Sequence, residues 1–306
     1  MKKTTTTTTN RGIQREFILG DSWIYFKIYT GHKTADKILT DIIRPIAYQL
    51  IEQKIIDKWF FIRYGDPKYH LRIRFHLTKL ENIFPVINSF YPHFNKYLNL
   101  DLIWKIQTDT YKREVERYGI SSMCLSEELF YHDSKLNVDF LNLIKGSEDE
   151  DIRWLFSLKS IDSLLNSFKY NDEGKNELLL VLSSSFKKEF NSSKHLVKQL
   201  SSKYRNKQKI IEEFLIDSGS NSNQSTIKDL LKEKEKKIDN IVVEILKLNT
   251  DGDLDLSISQ LMSSYIHMLM NRLFKSRNRV HELVCYDFLS RYYKSKLARG
   301  KFNKDV

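Results

Sequence analysis

The residues with the clearest chemical potential lie in one run, Phe61-Ile62-Arg63-Tyr64-Gly65-Asp66-Pro67-Lys68-Tyr69-His70-Leu71-Arg72-Ile73-Arg74-Phe75-His76. Trp59 to Tyr64 is aromatic and β-branched, as strands prefer, and Gly65-Asp66-Pro67 breaks it. Beyond the break the period is two, so the run predicts a β-hairpin. Leu71, Ile73 and Phe75 point to one side of its second strand. His70, Arg72, Arg74 and His76 point to the other. The three apolar residues suffice to pack the strand, so the cationic row needs its own account. Like charges on one face are stable only in water or against an anion. The plain reading is a solvated outer face. The sharper one is a site for carboxylate or phosphate, which arginine grips with paired N–H bonds.

Two further stretches carry polar groups at telling positions. Asp109 to Gly119 (Asp-Thr-Tyr-Lys-Arg-Glu-Val-Glu-Arg-Tyr-Gly) mixes acids, arginines and tyrosines just past a strand. Such a loop either lines a cleft or forms a surface ion-pair cluster. In the segment 255–274, Leu256, Leu261, Met262, Ile266, Leu269 and Leu273 make a mostly apolar helix. Gln260, Ser264, His267 and Asn271 step along it by four, three and four and form one polar stripe. His267 is then either a hydrogen-bonded core residue or an acid–base group in a cleft. Arg272 is placed to reach an anion or to cap the helix end.

Other signals are weaker. His32, His93, His132, His195 and His281 have no ligand spacing, and no metal site is expected. Walker, dinucleotide and Gly-x-Ser-x-Gly motifs are absent. Asp251-Gly252-Asp253 with Asp255 lacks the spacing of a calcium loop and is read as a helix N-terminus. Cys124 and Cys285 lie far apart, so no disulfide is expected, and a cytoplasmic location follows.

These groups must be positioned by the elements around them. Ser22 to Thr30 predicts a strand, Thr34 to Gln53 a helix with Pro45 as a potential kink, Leu80 to Leu98 a helix, and Asp101 to Thr108 a strand. From Ser122 onward, helices are expected near 122–132, 136–145, 150–168, 176–189, 194–216, 225–248, 255–274 and 277–297. Ser218 to Ser225 reads as a flexible loop and Lys228 to Lys237 as a solvated charged face. The fold class is α+β: a small antiparallel sheet with packed helices in the N-terminal part and a helical C-terminal body. Residues 1–15, which include six consecutive threonines, read as a disordered tail. Residues 16–300 read as one domain, β-rich to about 120 and helical over about 121–300.

The chain has 306 residues, 41% of them hydrophobic, and no apolar run long enough to span a membrane. Its net charge of +11 is uneven: residues 1–20 carry +3, residues 271–306 carry +7, and the 250 between them carry +1. The basic C-terminal block reads as a solvated helix or as a surface for RNA or an acidic partner.

Three stretches in order resemble the C-terminal elimination domain of class I lanthipeptide dehydratases, also called thiopeptide-type bacteriocin biosynthesis proteins. They are Gly20-Asp21-Ser22-Trp23-Ile24-Tyr25-Phe26 through Gly31, Trp59 to Tyr64 with His70 to Arg74, and Asp109-Thr110-Tyr111 through Gly119. Ser264 to Met268 with Asn271-Arg272-Leu273 resembles the family's late histidine motif. The resemblance spans residues 17 to about 297. It implies a lyase that expels glutamate from glutamylated Ser or Thr of a ribosomally made precursor peptide, leaving dehydroalanine or dehydrobutyrine. The family's functional residues map onto Arg72, Arg74, Arg117 and His267. Arg72 and Arg74 would clamp the glutamate α-carboxylate, Arg117 would offset developing charge, and His267 would move a proton. Arg63, His70, Tyr111 and Asn271, from the same motifs, are expected at the substrate site.

The resemblance implies no cofactor and no metal. It also implies a separate glutamyl-tRNA-dependent glutamylating protein as partner, this chain being a stand-alone component of a split dehydratase without direct tRNA binding. Two alternatives stay open: a pyridine synthase, which shares the fold and performs a formal [4+2] cyclisation in thiopeptide pathways, and a non-catalytic precursor-peptide-binding subunit. The alternatives differ in geometry. Elimination needs the arginines and the histidine at one pocket, whereas a binding subunit would disperse them.

Overall fold

The computed structural model describes residues 12–146, 150–191, 193–216 and 222–302. Its sheet is built from β2 (Trp23–Thr30), β3 (Ile56–Tyr64), β4 (His70–Leu77) and β5 (Ile103–Thr108), ordered β3-β4-β2-β5 and antiparallel throughout. The expected hairpin is β3 and β4. A two-stranded ribbon, β1 (Glu16–Phe17) with β6 (Tyr111–Lys112), was not foreseen. Two residues are too short a run for a period to register.

One face of the sheet packs on α1 (His32–Ile38), α2 (Arg44–Glu52) and α3 (Ile83–Asn99), with Ile28, Phe61, Leu71, Ile73 and Phe75 fully buried among them. The helix expected over 34–53 is interrupted by a π-turn, Leu39–Ile43, directly before Pro45. Proline has no N–H and its ring crowds the carbonyl four residues back, so the preceding turn widens.

Beyond the short α4 (Val115–Tyr118), the helical body comprises α5 (Met123–Leu143), α6 (Glu150–Ser167), α7 (Asp172–Glu189), α8 (Lys194–Leu215), α9 (Ser222–Asp251), α10 (Ile258–Leu273) and α11 (Asn278–Phe302). The two helices expected over 122–132 and 136–145 are one. Asp133 and Ser134, which suggested a break, are buried and find tertiary partners: Asp133 pairs with Lys234, and the Ser134 hydroxyl accepts the Phe61 N–H at 3.1 Å. Lys234 also corrects the reading of Lys228–Lys237 as a wholly solvated face, since it is 5% exposed. Helix α9 begins at Ser222, so the last part of the expected loop is helical; residues 217–221 lie outside the described residues. Asp255 does not start α10. Ser257 does, in a reciprocal capping box with Gln260.

The tail expected over 1–15 lies outside the described residues up to position 11. Over 12–15, Ile13 packs on the body core and the Arg15 carbonyl accepts the Arg113 N–H at 2.8 Å. Helix α5 joins the two layers, with Val138 and Leu141 in the sheet core and Leu129, Phe130, Leu136 and Phe140 in the body core. Helices α5 and α10 also cover the edge of β3. Asn271 bonds both backbone groups of Arg63, accepting its N–H at 2.8 Å and donating to its carbonyl at 2.9 Å.

Candidate active site

Register decides which side chains share the second face of the sheet. Arg74 lies between Tyr25 and Phe60, Arg72 between Lys27 and Ile62, and His70 between Tyr29 and Tyr64. The alternation read from the sequence holds, but the face is not an open one. His70 is 1% exposed, enclosed by Tyr29, Tyr64 and Arg72, and Arg74 is 8% exposed, covered by Tyr111 of β6 and the helical body. The solvated reading is thereby corrected for His70 and Arg74; Arg72 and His76 are half-buried.

Arg74 is surrounded by rings. Its guanidinium carbon lies 4.3 Å from the centre of Tyr25, 4.8 Å from Tyr111 and 5.2 Å from Phe60. No carboxylate pairs with it among the described residues, and its buried Nε has no hydrogen-bond partner. Across a small cavity of about 30 Å³, partly open to solvent, lies Arg272 of α10. Phe60, Ile62, Met123, Phe130 and Met268 supply the apolar lining, the buried Tyr111 and Tyr118 its polar wall, and Lys112 and Glu114 its exposed edge. Arg272 is 1% exposed, donates from Nε to the Ser134 hydroxyl at 3.2 Å, and its Nη1 lies 3.7 Å from Asp133 without making a hydrogen bond. Burial pulls its pKa down; Asp133 opposes that shift and Arg74 adds to it.

The wall carrying Tyr111 is fixed by Glu127, which is fully buried. Glu127 accepts the Tyr111 hydroxyl at 2.7 Å and two Arg113 N–H groups at 2.7 Å each. Burial, reinforced by Glu127, raises the Tyr111 pKa well above its ordinary value. The corner after α4 depends on Gly119, at φ 76°, where a Cβ would meet the Asp255 carboxylate at 2.9 Å. That carboxylate accepts the Ser121 N–H at 2.8 Å, tying the corner to the connection before α10.

Of the residues singled out from sequence, Arg74 and Tyr111 line the cavity. Arg117 lies at its rim, 43% exposed, 3.4 Å from the lining residue Glu114 and close enough to Tyr118 to act on that hydroxyl's ionisation. Arg72 extends the cationic face. Its guanidinium stacks 3.4 Å over Tyr64, and its Nε donates to His70 Nε2 at 3.0 Å. His70 is therefore the neutral tautomer with its proton on Nδ1, directed to the Lys68 carbonyl at 2.7 Å; burial lowers its pKa.

His267 is half-buried one residue before Met268 and does not itself line the cavity. Its Nδ1 is 3.0 Å from both oxygens of Glu282, a fully buried carboxylate that also accepts the Tyr286 hydroxyl at 3.2 Å. Arg63 and Asn271 do not reach the cavity. Arg63 shares its phase of β3 with Trp59 and Phe61 on the opposite face, where it binds Asp36. Asn271 is occupied by the backbone of Arg63. Arg272, Tyr118, Glu127 and Glu282 were not assigned to the site from sequence. Arg272 gives a signal as an anion-reaching residue next to Asn271, and Tyr118 as part of the Asp109–Gly119 stretch; Glu127 and Glu282 give none.

Among the described residues, no group of three His, Cys, Asp or Glu side chains is placed to hold a metal ion, and no helix is long and apolar enough to cross a membrane. The fold is similar to that of the tRNA-dependent lantibiotic dehydratase MibB from Microbispora sp. 107891. That likeness has TM-score 0.70 and 17% identity, covering 96% of this chain and 29% of that one. It is also similar to the pyridine synthase TbtD from thiomuracin biosynthesis, with TM-score 0.61 and 14% identity over 90% of this chain and 99% of that one. In sequence, 138 residues are 30% identical to the nisin biosynthesis protein NisB of Lactococcus lactis subsp. lactis, covering 45% of this chain and only 13% of that protein. Residues 23–293 match the family described as lantibiotic biosynthesis dehydratase C-term, and the chain belongs to that family.

Proposed function

We propose that this chain is a lyase that removes glutamate from glutamylated Ser or Thr of a precursor peptide, leaving dehydroalanine or dehydrobutyrine. The observation that carries this reading is the cavity walled by Arg74 and Arg272. Buried guanidinium groups without full counter-charges are costly, and an anionic guest offsets that cost. An amino acid delivered by tRNA is esterified through its α-carboxyl group. The bound ester therefore carries a free γ-carboxylate, and the α-carboxylate appears only as the ester leaves.

Elimination takes the α-proton of the former Ser or Thr, converts the Cα–H pair into the Cα=Cβ bond and breaks Cβ–O. A carboxylate only accepts hydrogen bonds, so Glu282 fixes the His267 proton on Nδ1 and leaves the Nε2 lone pair free. That suits His267 to act as the base. Successive side chains on a helix diverge by roughly 100°, so His267 lies more than a quarter turn round α10 from Met268, and the histidine and the arginine pair do not share one pocket. In this reading the peptide lies across that part of α10, over Ser264, with its ester toward the cavity and its Cα toward His267. Arg117 stands at the rim, where charge develops on the leaving α-carboxylate. Arg72 and His70 continue the cationic face, and Arg63 and Asn271 hold β3 on α10. Glutamyl transfer is assigned to a separate glutamyl-tRNA-dependent partner, since residues 21–270 sum to only +1.

Incubation with a glutamylated precursor, read by mass spectrometry, tests the reaction. Loss of glutamate with net dehydration is expected. His267→Phe and Arg74→Ala should accumulate the ester, the former slowing release by about 10²–10⁴-fold. Wild-type rates in both variants would sink the assignment.

The likeness to TbtD, which spans nearly all of that protein, favours a second reading, a pyridine synthase joining two dehydroalanines. Ring closure with loss of the leader segment would support it, whereas binding without either product would indicate a carrier role. The arginine pair favours elimination, because a pair of neutral dehydroalanines has no carboxylate to fill it.

A further inference from the structure

We propose that Arg272 is a substrate-binding residue which, with Arg74, forms a buried receptor for the γ-carboxylate of the glutamyl group and selects glutamyl over glutaminyl esters. The identity of the guest rests on the elimination reading. The receptor itself rests on an accounting of partners.

Asp133 is the acid nearest Arg272, 3.7 Å from Nη1, and it also pairs with the buried Lys234. One acid therefore faces two buried cations. Glu127 is engaged by Arg113 and Tyr111, and Glu114 is exposed at the rim beside Arg117. Arg74 has no acid. The Arg74 Nε and Arg272 Nη1 donors are both buried and make no hydrogen bond within the described residues. Buried donors in native proteins are nearly always satisfied, and two such exceptions on cations lining one cavity mark the place of an anion. The apolar lining suits the methylenes of a glutamyl side chain and strengthens the charge interaction at its end. A glutaminyl amide supplies no negative charge and brings an N–H₂ group toward two cations. Arg72 is the weaker candidate for this role, since it is half-buried and stacked on Tyr64.

Titration calorimetry of the whole chain with glutarate and with L-glutamate and L-glutamine as their α-methyl esters, so that only the side-chain group differs, tests the receptor without requiring turnover. Glutarate and the L-glutamate ester are expected to bind and the L-glutamine ester is not. Arg272→Met should weaken glutarate binding about 10–100-fold, the usual weight of a charge-assisted hydrogen-bond pair. Its thermal midpoint should equal or exceed that of the wild type, because an incompletely neutralised buried cation is replaced by an apolar chain. A purely structural arginine would lower the midpoint. If the methionine variant does not fold, Arg272→Lys, which keeps the charge but not the fork, should bind glutarate more weakly than the wild type.

Unchanged glutarate affinity in the variant, or equal affinity of the wild type for the two esters, would overturn the receptor; water alone would then satisfy the two donors. The two proposals fail separately. Glutarate binding through Arg272, with glutamylated peptide left intact by the wild type, removes the elimination reading and keeps the receptor. Equal elimination rates in wild type and Arg272→Met remove the receptor and keep the reading.

Discussion

Arg63 and Arg74 lie on neighbouring strands of one sheet, are both more than nine-tenths buried, and have opposite surroundings. Every arm of Arg63 is engaged: Nη2 with Asp36 at 2.6 Å, Nε with the Arg272 carbonyl at 2.9 Å and Nη1 with the Tyr69 hydroxyl at 3.2 Å. Asp36 also receives Arg153 at 2.8 Å. Arg74 meets only aromatic faces. Burial of a cation does not by itself mark a site. The distinction lies in whether the surrounding protein completes its charge and hydrogen bonds. At Arg63 it does, and the result is a joint between β3, α1 and the end of α10. At Arg74 it does not, and the result is a cavity.

Paired variants sharpen this contrast most strongly. Arg63→Met should cost about 3–5 kcal/mol of folding stability, because it strips one partner from a buried ion pair. Arg74→Met should leave stability unchanged or raised while slowing glutamate release about 10²–10³-fold, the scale set by losing one preorganised donor. Urea unfolding alongside the mass-spectrometric rate would separate them. Equal stability losses in the two variants would break the comparison, since Arg74 would then be as structural as Arg63.

Glu282 belongs to the completed kind of site but serves the open one. Glu282→Gln retains the shape and a carbonyl acceptor but also offers an N–H₂ donor, which admits the wrong tautomer of His267. The expected loss of rate is smaller than that of His267→Phe, with peptide binding retained and partial recovery in Glu282→Asp. A rate unchanged by Glu282→Gln would show that the His267–Glu282 contact only holds α10 to α11.

The hairpin and its cationic row were legible because a period of two is a local property. The sheet, the early helices and the α+β class followed from the same kind of signal. The cavity was legible only in part, because it depends on register and on what covers a face. The family motif groups Arg63 with Arg72 and Arg74, yet cross-strand pairing of Phe60 with Arg74 and Ile62 with Arg72 puts it on the other side. Arg272 was read as an anion group or a helix cap because nothing local indicates that α10 lies over β3. Glu282 sits in the first turns of a helix whose basic residues drew the reading toward a solvated surface. The split of α5 at Asp133-Ser134 failed for a related reason: polar residues mid-helix look like a break until Lys234 and the edge of β3 are brought against them.

The smallest effect separates the two regions by acid. Burial pushes the Asp36 pKa up, but the charges of Arg63 and Arg153 outweigh it and the net shift is downward. A carboxylate with a depressed folded pKa contributes stability above its unfolded value, and that contribution is lost as pH falls through the folded value. Asp36→Asn should therefore be less stable than the wild type at pH 7. The difference should shrink once the pH drops below about 4, where the unfolded carboxylate protonates, and vanish below the folded pKa. Among the described residues no acid pairs with Arg74, so Arg74→Met should show a stability difference from wild type that is flat across the same range. Unfolding midpoints of the three proteins between pH 2 and pH 7 would check this. A flat difference for Asp36→Asn would mean that the Arg63 joint is held by its carbonyl and tyrosine contacts, and that its charge is no better completed than that of Arg74.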